Sequence, residues 1–536
     1  MRPGTPRRRA AALLTALALA LTTAAACSGD SEDGDGGGSD GPRTVRILAS
    51  SELADTEPLL ERAAEETGVR ADITWSGTLD ATRLVTSGEA DGEYDALWLA
   101  TNDYLRLHPE AAERIVSETS IVTSPVALGF RPTVLDRLGW EPEDVTWGAV
   151  HRAAASGELT FGMTDPLRSN SGYSALISVT SALSGAQSAL TQQDIDDSGP
   201  ELREFFTGQR LTSGSSGWLA TAFAERPDVD ALINYESVLM SRAGPGTGDL
   251  TVVRPTDGVV TARYPLTVLT SASPESREAL RDLTEYLRGD DAQRTLTEDT
   301  LRRPVATGVA PAAELPADRR RELPYPGSLE VADGLLAEFD HRLRRPSRTV
   351  YVLDTSASME GERLAELKEA MGELTGTAGS PPGERFRDRE EVTLMPFNSD
   401  VVSVTTHTVA AGDPEPALAD IRAEVAALTA EGDTAVYRSL MEAYEFLTAD
   451  GASDAFTSIV LMTDGENRDS VTAEDFEAFH RELPAEQRAA IPVFTVLFGD
   501  GDRDELGYIA GLTGGELFDA VREPLGDAFR EIRGYQ

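Results

Sequence analysis

Two hydrophobic periods alternate along the chain. Short β-prone apolar runs are separated by stretches whose apolar residues recur every three or four positions, the pattern of strands alternating with amphipathic helices. Residues 45–50 (VRILAS), 69–75 and 94–99 read as strands. Between the first two, Leu59, Leu60 and Ala63 mark a helix that Gly68 ends. Residues 120–130, with Pro125 inside, predict a strand that carries the chain into a second lobe. A short strand at 232–235, two more within 252–269 and helices at 274–287 and 290–301 follow. Residues 304–326 are rich in Pro and Ala, residues 329–343 suit one helix, and Arg344-Arg345-Pro346 punctuates the chain.

The alternation then restarts. Residues 349–353 (TVYVL) form a continuous apolar run, as a buried parallel strand requires. Leu364, Leu367, Met371 and Leu374 share one helical face. Residues 392–397 and 401–406, joined by Asn398-Ser399-Asp400, predict a hairpin. Leu418, Ile421, Val425 and Leu428 mark another helix, and Tyr437, Leu440 and Tyr444 a third. Strands at 458–462 and 493–498 and two short helices complete the series. Strand–helix alternation of this kind predicts α/β architecture with mostly parallel sheets and helices on both faces.

Composition narrows the function. A chain of 536 residues is long enough for several domains. The balance of 48 basic against 91 acidic residues, net charge -43, argues against nucleic acid as a partner, whose affinity depends on Lys and Arg meeting phosphates. Lys368 is the only lysine and no Gly-rich loop precedes it, which excludes a Walker-type phosphate loop. Cys27 is the only cysteine, so no disulfide forms within the chain.

The first 26 residues have the layout of a secretory signal: Arg2 and Arg7 to Arg9, then an apolar run from 10 to 21, then small residues. The run is short and Ala-rich for a membrane-spanning helix. Ending on Cys27, it resembles a bacterial lipoprotein signal, which implies cleavage before Cys27, lipidation of that residue and attachment to the outer face of the cell membrane. Ala24 departs from the Leu usual in that family. Residues 27–42, rich in Gly, Ser and Asp, predict a flexible tether.

The candidate chemistry lies at strand ends. Asp354, Ser356 and Ser358 follow the 349–353 strand, where open α/β sheets place ligands, and three such oxygens can converge on a hard cation. Asp and Ser are equally good helix caps, so this loop alone leaves both roles open. Two further oxygen-bearing loops weigh toward the cation: Thr434 in GDTAV, and Asp464 at the end of the 458–462 strand. Together, D-x-S-x-S, the Gly-x-Thr turn and the later Asp-Gly resemble the von Willebrand factor type A (vWA) domain. That resemblance covers residues 347–536. It implies a metal-ion-dependent adhesion site on Asp354, Ser356, Ser358, Thr434 and Asp464, holding Mg2+ (or Mn2+ or Ca2+), with an open position for a protein partner's carboxylate.

Residues 43–325 resemble an extracellular solute-binding protein, through VRILAS, TSPVALGF, TDPLRSNSGYSAL, NYES, DGVVTARYPLTVL and EYLRGDDAQ. The resemblance implies two α/β lobes, the second spanning about 125–240, around a cleft for a small polar ligand. The matching cleft positions are Ser51, Thr78, Ser124, Ser169, Ser171 and Tyr235. Residues 326–346 are the expected linker. These resemblances imply a surface-anchored binding protein, with the receptor of an ABC importer as the alternative. A metal-dependent hydrolase is disfavoured: none of the five histidines falls in a site motif, and no G-x-S-x-G elbow is present.

Overall fold

The apolar runs resolve into three sheets. The computed structural model describes residues 43–214, 216–242, 250–376, 385–449, 455–465, 467–499, 502–519 and 532; the expected signal, Cys27 and the tether lie outside them. In chain order the first twelve strands are β1 (Arg43–Ser50), β2 (Val69–Ser76), β3 (Ala96–Trp98), β4 (Ile115–Ser120), β5 (Val122–Phe130), β6 (Phe161–Thr164), β7 (Gln209–Ser213), β8 (Ala231–Tyr235), β9 (Thr251–Val253), β10 (Thr261–Ala262), β11 (Pro265–Leu269) and β12 (Arg303–Pro304).

The first sheet has the order β2-β1-β3-β11-β4. Its β1 pairs in parallel with β2 and β3, whereas β11 runs antiparallel to β3 and β4. The sheet is therefore mixed rather than parallel throughout. Its antiparallel strand β11 is the chain returning from the second sheet, so no crossover helix sets its direction. The second sheet has the order β10-β5-β8-β6-β7, with β9 and β12 also on β5. It takes strands from Val122 to Pro304, a wider span than 125–240.

The chain crosses between these sheets at Ile121, at Arg263–Tyr264 and at Leu301–Arg302. Among the described residues, two of the three non-glycines with positive φ, Tyr264 (φ 40) and Leu301 (φ 53), sit at these crossings. Such conformations cost about 1–3 kcal/mol each and persist only where neighbours fix them. The Trp98 indole and the Ile121 N–H both donate to the Tyr264 carbonyl, at 3.1 and 3.3 Å.

The third sheet adds β13 (Ser347–Asp354), β14 (Glu390–Phe397), β15 (Thr405–Thr408), β16 (Phe456–Thr463), β17 (Val493–Leu497) and β18 (Leu517–Asp519). Its order is β15-β14-β13-β16-β17-β18, all parallel except the edge strand β15. Both faces are covered. Tyr351, Leu353, Leu394, Val460 and Met462 pack on one side, and Val350, Val352, Met395, Ile459 and Leu461 on the other. This explains the unbroken apolar runs.

The hairpin differs from its expectation. β15 begins at Thr405, not Val401, and Val402 and Val404 are exposed. The Val402 N–H donates to the Pro396 carbonyl at 2.8 Å, closing a tight loop before the chain bulges outward and pairs again. The expected helix at 329–343 becomes Leu329–Glu338 followed by a π turn, Phe339–Leu343. That turn packs Phe339 on Phe206 of the second sheet's helical layer.

Candidate functional site

Strand order brings the predicted metal residues together. β13 lies directly beside β16, so Asp354 and Asp464 leave neighbouring strand ends on one edge of the sheet. Asp354 is fully buried. Its Oδ1 accepts the Ser356 N–H at 2.8 Å, and its Oδ2 accepts the Thr463 hydroxyl at 2.5 Å. From there the oxygens run in sequence: Ser356 Oγ to Ser358 Oγ at 3.0 Å, then Ser358 Oγ to Asp464 Oδ1 at 2.9 Å.

Thr434 arrives from the loop before the Val436–Thr448 helix. A Cβ placed on Gly465 would lie 3.7 Å from both Ser358 Oγ and Thr434 Oγ1, so both hydroxyls face that glycine. Main-chain bonds interlace the loops: Glu431 N to the Thr355 carbonyl, Ala357 N to the Gly432 carbonyl, and Ala435 N to the Asn398 carbonyl, at 2.8–3.0 Å. Gly432 (φ 79) adopts a left-handed conformation and lies against Asn398 and Ser399, which a Cβ would crowd at 3.0–3.4 Å.

Electrostatics suit a cation here. Burial pushes the Asp354 carboxyl above its ordinary range and the Asp464 charge adds to this, against hydrogen bonds from Thr463 and Ser356. Two carboxylates and three hydroxyls on one edge are an all-oxygen donor set, the kind that suits Mg2+ rather than a softer metal. Among the described residues no group of three His, Cys, Asp or Glu could hold a metal, so a site here would depend on hydroxyl donors. Sequence reasoning missed Thr463, which locks Asp354, and Arg363, whose guanidinium pairs with Asp464. Thr463 could have been found from its place immediately before Asp464.

The predicted cleft residues divide among several roles. Ser51 is exposed at the end of β1, while its neighbour Ser50 is buried and bonds Thr78 Oγ1 at 3.0 Å. Ser171 Oγ is the hub of a buried hydroxyl cluster, 2.8 Å from Thr164, 3.0 Å from Ser169 and 3.0 Å from Ser216. Tyr235 is fully buried, and its hydroxyl accepts from Asn170 at 2.6 Å. Ser124 Oγ accepts the Ser237 N–H at 3.0 Å, a bond that fastens a helix start to β5.

The lobes touch between these groups. A Cβ on Gly77 would lie 2.7 Å from the Arg168 carbonyl, Arg83 donates to the Leu167 carbonyl, and Arg168 faces Asp80 at 3.8 Å. Arg168 and Asp80, absent from the sequence expectation, thus join the two lobes. The Oδ1 atoms of Asn102 and Asn170 are buried and meet no hydrogen-bond partner among the described residues.

The fold is built from two kinds of module. Residues 45–301 match the family model of the bacterial extracellular solute-binding protein, and residues 350–524 that of the von Willebrand factor type A domain; the chain carries one domain of each family. Similar solved structures include the periplasmic binding protein AfuA from Actinobacillus pleuropneumoniae, with fructose-6-phosphate bound (13% identity, 57% of this chain and 99% of that one, TM-score 0.47). A putative extracellular solute-binding protein from Bordetella parapertussis is 16% identical over 56% of this chain and 98% of that one, with a TM-score of 0.43. No curated protein matches the chain. No described helix is long and apolar enough to cross a membrane.

Proposed function

We propose that this is a surface-anchored binding protein whose vWA domain holds a divalent cation, Mg2+ by its donor set, and meets a protein partner through it. Asp354, Ser356, Ser358, Thr434 and Asp464 hold the ion, and a carboxylate of the partner completes its coordination. Lipid on Cys27 attaches the chain to the outer face of the cell membrane, with residues 27–42 as tether. The observation that carries the reading is the chain of hydrogen bonds from the Asp354 carboxylate, which accepts the Ser356 N–H, through the Ser356 and Ser358 hydroxyls to Asp464, with Thr434 facing the same glycine.

The five histidines are engaged elsewhere. His151, His341 and His407 pair with Glu204, Asp388 and Glu424, while His480 stacks on Phe476 and His108 packs on Tyr104. None enters either cluster. Calorimetric titration of the full chain with Mg2+ tests the reading. Saturable heat in the wild type that is lost in Asp354→Ala and Thr434→Ala supports it; equal heats in all three overturn it.

A second reading, a receptor delivering a small polar ligand to an ABC importer, draws on the unpartnered oxygens of Asn102 and Asn170. It requires the Arg168–Asp80 contact to open for ligand. A thermal-shift screen separates the two, since a ligand at a hundredfold its Kd adds about 2.7 kcal/mol to stability.

A further inference from the structure

The metal cluster carries a cation of its own. Arg363, on the first turn of the Glu362–Thr375 helix, pairs with Asp464 Oδ2 and reaches the Ser358 carbonyl at 3.4 Å. The Asp464 side chain is completely buried, so this guanidinium is the charge that compensates it. Its position is confined. Gly499 (φ 64) lies so close that a Cβ there would stand 2.7 Å from Arg363 Nε. The other Asp464 oxygen belongs to Ser358 in the oxygen run.

The space beside this guanidinium is open and acidic. A cavity of about 600 Å³ opens at this point, lined by Ser358, Glu360, Glu362, Arg363, Glu366, Phe498 and Gly499. Three carboxylates therefore share the cavity wall with Arg363. Glu366 stands three residues along the same helix, within reach of an Arg at 363. No ion pair joins Glu360, Glu362 or Glu366 to any described residue.

We propose that Arg363 is a built-in competitor of the metal, with two alternative positions. In one it neutralises Asp464 and covers the edge of the cluster; in the other it pairs with Glu366, three residues along its own helix, in the cavity wall. This rests on the metal reading above and adds a regulation of the same site. A divalent ion drawn to Asp464 meets the guanidinium at the same carboxylate, and like charges at that separation repel. Metal entry therefore expels Arg363, and Glu366 takes up its charge. A partner's carboxylate then finds the ion exposed and a guanidinium close by, whereas without metal Arg363 blocks access. A ligand shifts such a pair of positions only by its differential affinity for the two, and here the divalent ion supplies that difference at Asp464.

The test is calorimetric titration with Mg2+ of the full chain as wild type, Arg363→Gln and Arg363→Lys, with melting curves in EDTA. The Gln variant should bind Mg2+ at least about fivefold more tightly than the wild type. The Lys variant, keeping a cation, should remain near the wild type. In EDTA the Gln variant should melt lower than the wild type, because Asp464 has lost its counter-charge, and Mg2+ should remove that difference. Equal Mg2+ affinity in the wild type and in Arg363→Gln, with both binding the ion, overturns the competition while leaving the metal site standing. Absence of binding in all three chains overturns both.

Discussion

Arg387 holds the vWA domain to the 165–169 turn that faces the first lobe, and removing it is the most informative perturbation of the architecture. Its guanidinium is buried and bonds Asp165 Oδ2 at 2.7 Å, with Asp340 at 4.0 Å and Glu390 nearby. Asp165 in turn shapes the segment facing the first lobe. Its Oδ1 accepts the Leu167 N–H at 2.9 Å, and its carbonyl accepts those of Arg168 and Ser169. Replacing one partner of a buried pair leaves the other charge uncompensated, at a cost of about 3–5 kcal/mol. Arg387→Met should lose that much, chiefly from the contact between the two domains.

All five tryptophans lie between Trp75 and Trp218, so in a urea titration tryptophan fluorescence follows the solute-binding domain alone, while far-ultraviolet circular dichroism follows both. The two signals should coincide in the wild type and separate in Arg387→Met. Asp165→Asn combined with Arg387→Met should cost less than the two single losses added together, because the stranded carboxylate is gone. A loss below about 1 kcal/mol in Arg387→Met, or strict additivity in the cycle, would refute the reasoning.

Two further outcomes are expected. Gly172→Ala should destabilise the second lobe by about 1–3 kcal/mol or more, because the added Cβ would lie 2.2 Å from the Thr164 main-chain oxygen; faster amide exchange over residues 164–171 would report it. His480 concerns acid stability. Burial, with Arg488 beside it, holds its imidazole down at about 4. Between its ordinary value of 6.5 and that level, the unfolded chain takes up a proton that the folded chain refuses, so this contribution to stability is present above pH 6.5 and lost as pH falls toward 4. His480→Gln should therefore lose about 3 kcal/mol less than the wild type over that window, measured by denaturant titration at each pH.

What the sequence by itself determined is local. Unbroken apolar runs marked the buried strands β13, β14 and β16, because both faces of that sheet are covered. The residues just past those strands marked the candidate metal cluster, because side chains at strand ends gather on one edge whatever the helices between them do. The run from Val401 misled, since β-prone residues in an exposed loop look like a strand until burial is known. Tertiary structure alone decided the strand order that sets β16 next to β13, and with it the adjacency of Asp354 and Asp464. It also decided the contact of the lobes through Arg168 and Asp80, the bond between Arg387 and Asp165, and the place of Arg363 over Asp464. Each of these joins charges far apart in the chain. No local period records such a pairing, because its energy depends on burial and distance, and only the folded chain supplies both.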